Sequence, residues 1–140
     1  MSFSTVQKIR FDDVDGAGIV YYPRFFHICH KAFEDFFDEK GPVTYPKLIS
    51  DWKRGFPTVR TEGSYTAPLK YGDAAKVELT VEYIGKSSLR TRYIVSRERD
   101  NVLAFDGLVT TVCVDLADFR PTPIEGVLHA FLKAYMKEPS

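Results

Sequence analysis

Residues 11–42, FDDVDGAGIVYYPRFFHICHKAFEDFFDEKGP, contain the change of pattern that decides the fold. An Asp/Gly-rich break, DDVDGAG at 12–18, runs into Pro23, a residue favoured in the first turn of a helix. Apolar residues then recur at helical spacing: Phe25, Phe26, Ile28, Cys29, Ala32, Phe33, Phe36 and Phe37. The spacing predicts one long, mostly buried helix, stopped at Gly41 with Pro42 blocking its continuation.

On both sides of this helix the residues are of strand type. Phe3, Thr5, Val6, Ile9 and Phe11 predict a strand over 3–11. After a mixed stretch at 45–57, read as a single helical segment ending near Gly55 and Pro57, the period becomes two. Val77, Leu79, Val81 and Tyr83 alternate with polar residues, as do Leu89, Tyr93 and Val95. Gly85-Lys86-Ser87 and Arg99-Asp100-Asn101 supply turns, so these strands form an antiparallel meander. Val102 to Leu116 is apolar on both parities, which predicts a central strand covered on both faces. Pro121 and Pro123 end that run, and Val127, Leu128, Phe131, Leu132 and Tyr135 predict a short terminal helix. The expected architecture is a single α+β domain over 1–140, with one apolar helix wrapped by one antiparallel sheet.

Composition narrows the function. Nineteen Lys and Arg residues balance nineteen Asp and Glu, so no net field draws in nucleic acid or an anionic membrane. No stretch approaches the ~18 consecutive apolar residues of a spanning helix, and the first residues carry no signal-peptide core, so a cytoplasmic protein is expected. Cys29 and Cys113 belong to no CxxC pair and read as buried thiols.

The carboxylate-rich turn leading into a helix start suits acyl chemistry. The first N–H groups of a helix lack internal partners and carry the positive end of its dipole, so they can polarise a thioester carbonyl. Asp15 beside them can attack that carbonyl or deprotonate a water that does. The competing reading is that Asp12, Asp13 and Asp15 only shape a turn and cap a helix, the commonest role of Asp in such places. An EF-hand is excluded, because Ala17 and Arg24 stand where ligands are needed. Gly16-x-Gly18 is followed by Tyr21 where a dinucleotide fingerprint needs Gly or Ala. His30 and Glu34 share one helix face but lack a second ligand cluster, so they read as a surface pair and no metal or other cofactor is expected. No GxSxG elbow is present. Lys86, Arg90 and Arg92, with Ser87 and Ser88, read on spacing alone as the solvent face of a strand.

The segment DVDGAGIVYYPRFF closely resembles the signature of the 4-hydroxybenzoyl-CoA thioesterase family, acyl-CoA hydrolases of hotdog fold. FPTVRTEGSYTAPLKYGD and YIGKSSLRTRYIVSR resemble later strands of that family in the same order, so the similarity covers roughly residues 5 to 115. The resemblance implies hydrolysis of an acyl-CoA substrate, with Asp15 catalytic and the Tyr22 backbone N–H polarising the carbonyl just ahead of Pro23. It implies that Lys86 and Ser88 contact the CoA phosphates, and that Gly18, His27, His30 and Thr58 lie at the substrate site or the subunit interface. Gly85 departs from the pattern, standing where close relatives carry a further arginine. A homodimer or homotetramer is implied, with sheets joined edge to edge and each site between subunits. Two rivals stay open at this level: a non-catalytic acyl-thioester binding module, and a dehydratase or hydratase that leaves the thioester intact.

Overall fold

The structure, a computed structural model, describes residues 1–137. In chain order it contains strand β1 (Phe3–Lys8), a 3-10 turn (Phe11–Asp13), helices α1 (Arg24–Lys40) and α2 (Tyr45–Ser50), and short strand β2 (Arg54–Gly55). Strands β3 (Thr58–Tyr65), β4 (Ala74–Ile84), β5 (Ser88–Arg97) and β6 (Val102–Val112) follow, then β7 (Val114–Asp115), β8 (Arg120–Pro121) and helix α3 (Gly126–Ala134). The main sheet has the order β1-β4-β5-β6-β3, and β2-β7-β8 form a small second sheet.

Helix α1 forms where the spacing predicts, with Pro23 at its N-cap and the Gly41 N–H closing on Phe37 C=O. Its buried stripe of Phe25, Ile28, Cys29, Ala32, Phe33, Phe36 and Phe37 lies against the inward-facing residues of the sheet. Those residues include Val77, Leu79 and Val81 of β4, and Leu89, Tyr93 and Val95 of β5. Burying a Phe or Leu side chain contributes about 1.5–3 kcal/mol, so the α1 stripe is the main attachment of helix to sheet. Phe131 of α3 stacks on Phe36 at 4.5 Å and closes one end of this core. The meander is present: β4 pairs with β5 and β5 with β6, both antiparallel, through the two turns expected.

Three expectations need correction. Strand β6 is not central; β5 holds the middle of the sheet and β6 lies beside the edge strand β3. Nor is β6 covered on both faces. Phe105, Gly107, Val109 and Thr111 are buried while the alternate positions are half-buried, and Val102 and Leu103 are exposed. Part of its double parity comes from a bulge: Val95 pairs with Phe105 but Ser96 with Leu103, so the extra residue Ala104 is also turned inward, while Leu108 and Val112 lie half-buried on the other face. The first strand stops at Lys8, because Arg10 to Asp13 turn away through the 3-10 segment. The 45–57 segment is helical only over Tyr45–Ser50 and then becomes strand β2, where Gly55 pairs with Val114.

Candidate active site

The Asp/Gly break folds as a small hairpin. Val14 bridges Val20, the Asp15 N–H donates to Ile19 C=O at 2.9 Å, and the Gly18 N–H donates to Asp15 C=O at 3.0 Å. Gly18 has φ +79°, a left-handed conformation that closes the turn and that a side chain would strain. The Val20 N–H donates to Leu69 C=O, tying the hairpin to the loop that leads into β4.

The two carboxylates of the D-x-D pair have different tasks. Asp13 is buried; its Oδ2 accepts the Arg10 N–H at 2.8 Å, its Oδ1 lies 3.5 Å from Arg24, and its C=O accepts the Tyr21 N–H. Asp13 therefore holds the turn together. Asp15 stands exposed at the hairpin tip, with Oδ1 accepting the Ala17 N–H at 2.8 Å. That bond is the turn-shaping role the sequence allowed for. Among the described residues Asp15 Oδ2 has no hydrogen-bond partner, so half of this carboxylate is available to a reactant.

Just ahead of α1 the backbone leaves one donor open. The Tyr21 N–H is taken by Asp13 C=O and the Arg24 N–H by Tyr21 C=O, and Pro23 has no N–H. Among the described residues the Tyr22 N–H has no acceptor. Beside it an open, mainly apolar groove of about 440 Å³ is lined by Ile19, Val20, Tyr22, Phe25, Tyr65 and Pro68. Tyr65 meets Tyr22 and Phe25 edge-on at 6.1 and 5.6 Å, and Phe105 beneath stacks on Phe25 at 4.9 Å. Burial, and next the neighbouring Tyr22, push the Tyr65 phenol above its ordinary range, which keeps it protonated. The groove can therefore receive a flat apolar group next to the open Tyr22 N–H.

Asp15 and Gly18 thus lie at the tip of the hairpin, Tyr22 and Pro23 at the end of its returning strand where α1 begins, and of these four Tyr22 lines the groove. His27 is exposed on α1 and lines neither this groove nor the cavity between α1 and the sheet; His30, one turn on, lines that cavity together with Thr58. The His30 ring also lies 2.9 Å from Glu34, the surface pair expected. Lys86 and Ser88 sit at the opposite end of β4 from the hairpin, roughly 30 Å away at about 3.3 Å per residue along the strand. Within one chain they do not meet Asp15. A Cβ at Gly85 would lie 2.4 Å from Ser88 Oγ, so a side chain there requires the Ser88 hydroxyl to turn away. Arg92 is bound to Asp106 and Glu82 and Arg90 lies over Tyr83, which is the solvent-face role predicted for both. Sequence reasoning missed Tyr65, whose strand lacks an alternating apolar pattern.

Among the described residues no group of three or more His, Cys, Asp or Glu side chains is placed to hold a metal ion. No helix among them is long and apolar enough to cross a membrane. Residues 9–132 match the thioesterase-like superfamily. The chain belongs to that superfamily. Among its relatives in this superfamily, a 1,4-dihydroxy-2-naphthoyl-CoA hydrolase of Nostoc punctiforme is 28% identical over 115 residues, covering 82% of this chain and 76% of that one. A hydrolase of the same name from Synechococcus elongatus is 30% identical over 105 residues, 67% of this chain and 69% of its own. The crystal structure of a 1,4-dihydroxy-2-naphthoyl-CoA thioesterase from Synechocystis superposes with a TM-score of 0.84 at 23% identity, covering 95% of this chain and 96% of that one. The fold is the hotdog α+β fold of the superfamily. The resemblance to the 4-hydroxybenzoyl-CoA thioesterases therefore holds at the level of the superfamily, since these relatives bear the name of a different aromatic thioester.

Proposed function

We propose that this protein hydrolyses an aromatic acyl-CoA thioester to the free acid and CoA, using Asp15 and the backbone N–H of Tyr22. The observation that supports this reading is an open N–H at the start of α1 beside a groove of aromatic side chains, with an open carboxylate oxygen on the hairpin that leads into that helix. In the proposed reaction the thioester carbonyl oxygen accepts the Tyr22 N–H, which stabilises the negative charge that develops there. Asp15 either attacks the carbonyl carbon, forming a mixed anhydride that water then opens, or takes a proton from the attacking water. Either route expels the CoA thiolate. The aromatic lining of Tyr22, Phe25 and Tyr65 and the names of the relatives both favour a ring-bearing acyl group such as 1,4-dihydroxy-2-naphthoyl or 4-hydroxybenzoyl.

A second copy of the chain completes this site in the proposal. Among the described residues strand β3 pairs with β6 alone, so its outer edge is open there, and all eight of its residues are exposed. Antiparallel pairing of β3 with its own copy about the strand centre brings the Thr58 end of one protomer to the Tyr65 end of the other. Thr58 lies opposite Thr111, beside the Ser88–Val112 pair, whereas Tyr65 touches Tyr22. The partner's Lys86 and Ser88 turn then approaches this protomer's Asp15, and the 30 Å separation within one chain ceases to matter. Lys86 and Ser88 hold CoA phosphates in this arrangement.

The test is release of free thiol from a panel of naphthoyl-, benzoyl-, phenylacetyl- and aliphatic CoA thioesters, with Asp15→Ala alongside. Alanine is chosen because an Asn before Gly16 deamidates readily and regenerates the carboxylate. Turnover of aromatic thioesters, with a folded variant slower by about 10²–10⁴-fold, is expected. CoA binding without thiol release would replace this reading with a binding module in which Asp15 only shapes its turn.

A further inference from the structure

The chain carries two Asp-Gly dipeptides, Asp15-Gly16 in the hairpin and Asp106-Gly107 in β6. A glycine after aspartate has no Cβ to shield its backbone nitrogen, so that nitrogen can attack the aspartyl Cγ and close a five-membered imide. The sequence exposes both dipeptides to this chemistry; the fold separates them.

Asp106 is held out of the reaction. Its Oδ1 accepts Arg92 Nε–H at 3.1 Å and its Oδ2 accepts Arg92 Nη2–H at 2.6 Å. Gly107 pairs with Tyr93 of β5 on one side and with Gly63 of β3 on the other, under a Phe105 ring that would lie 2.5 Å from a Cβ there. Imide closure at this position has to break the ion pair and distort the ladder together.

Asp15 has the opposite surroundings. Residues 15–18 are exposed, and a Cβ at Gly16 meets nothing within 4 Å. Among the described residues the Gly16 N–H has no acceptor, and Asp15 Oδ2 has no hydrogen-bond partner. The Ala17 N–H donates to Oδ1 at 2.8 Å, closing a ring of atoms that contains both Cγ and the Gly16 nitrogen and so folds the carboxyl back over that peptide. Two backbone bonds close the tip, from Asp15 N–H to Ile19 C=O and from Gly18 N–H to Asp15 C=O, and neither engages the Gly16 nitrogen.

We propose that Asp15-Gly16 is a site of spontaneous isoaspartate formation, through which the protein loses its own reactive carboxylate. The Gly16 nitrogen bonds to Asp15 Cγ, the N–H proton and the hydroxyl of the protonated carboxyl leave together as water, and a succinimide spans the two residues. Water then adds back. Opening at Cγ restores aspartate. Opening at the Asp15 main-chain carbonyl leaves the chain running through Cβ and Cγ, with the carboxylate on Cα. Atoms balance without a further reactant, and the mass is unchanged. The hairpin tip gains a backbone methylene, the Ala17 bond to Oδ1 is lost and the carboxylate moves. That this ends turnover rests on the hydrolysis reading above; the rearrangement itself does not.

The test is incubation of the whole protein at mildly acidic pH, with peptide mapping for isoaspartate and thiol release for activity. Isoaspartate is expected at residue 15 and not at residue 106, and activity should fall in proportion to the isomerised fraction. An isoaspartyl methyltransferase with its methyl donor returns isoaspartate to the succinimide, so treating aged protein should recover activity that unfolding would lose for good. Gly16→Ala, whose methyl meets no neighbour but crowds the nitrogen, should age several-fold more slowly relative to its own starting rate. Absence of isoaspartate at residue 15, equal accumulation at both dipeptides, or a Gly16→Ala chain that isomerises as fast as the unaltered one overturns the proposal. Isoaspartate at residue 15 with undiminished turnover leaves the rearrangement standing and overturns the role of Asp15 in hydrolysis, so the two readings fail separately.

Discussion

Replacing Gly63 by alanine should lower stability measurably although it adds a single methyl to an edge strand. Gly63 and Gly107 face each other across β3 and β6, and the Phe105 ring lies flat over both. A Cβ at Gly63 would sit 2.5 Å from Phe105 Cε1, 2.7 Å from its Cζ and 3.3 Å from Phe26 Cζ. Phe105 has no room to retreat. It is fully buried, stacked on Phe25 at 4.9 Å, tilted on Tyr65 at 4.9 Å and edge-on to Phe26 at 5.3 Å. Overpacking of this kind costs about 1–3 kcal/mol, while a strand glycine changed to alanine recovers about 0.5–1 kcal/mol of backbone entropy. The difference spans about 0–2.5 kcal/mol, and with the ring held on three sides the upper part of that range is expected, a net destabilisation of about 1–2.5 kcal/mol. For a chain of this length that lowers the melting temperature by about 3–10 °C. Thermal unfolding followed by circular dichroism reads it, with Gly16→Ala as control, because a Cβ at Gly16 meets nothing within 4 Å. A Gly63→Ala melting temperature equal to or above that of the unaltered protein would refute the claim that the glycine pair exists to seat Phe105.

Asp13→Ala should destabilise by about 1–3 kcal/mol in chemical denaturation, since it strips the acceptor from the Arg10 N–H and a counter-charge from Arg24, whose Nε is already buried without a partner. The Lys70 N–H, and then the Arg99 guanidinium, hold the Asp73 carboxyl below its ordinary 3.8. Its folded value is the lower one, so its stabilisation is complete above the unfolded value and is lost as pH falls through the folded value. Asp73→Asn should accordingly flatten the acid limb of a melting-temperature profile below about pH 4. Burial pushes the Cys113 thiol up to about 11, with Arg54 opposing, and raises Cys29 further. Neither thiol should react with a thiolate-specific reagent at pH 8 in the folded protein, and both should titrate in denaturant.

Much of the architecture could be read from the sequence because its signals are local. The spacing of Phe25 to Phe37 fixes the buried face of α1, and Pro23 and Gly41-Pro42 fix its ends, through torsional and steric preferences that act within a few residues. The two turns of the meander and the alternation of β4 and β5 are equally local. The turn-shaping role of Asp15 was also in reach, since Asp side chains commonly accept a backbone N–H two residues on in such turns.

What the sequence withheld depends on partners distant along the chain. The position of β6 follows from which strand takes its far side, and β3, which does so, comes earlier in the chain and shows no alternation of its own. The bulges at Val59 and Ala104 are differences of register between two strands, so neither is a property of one segment. The same holds for the cavity between α1 and the sheet, where Thr61, Tyr93 and Thr111 come from three different strands. The separation of Lys86 from Asp15 is likewise a matter of strand length and direction. Local chemistry determined helix α1 and the strands β1, β4 and β5; non-local pairing decided β3, the place of β6 and which side chains share a cavity, because residues far apart in sequence are brought together only by strand pairing and packing.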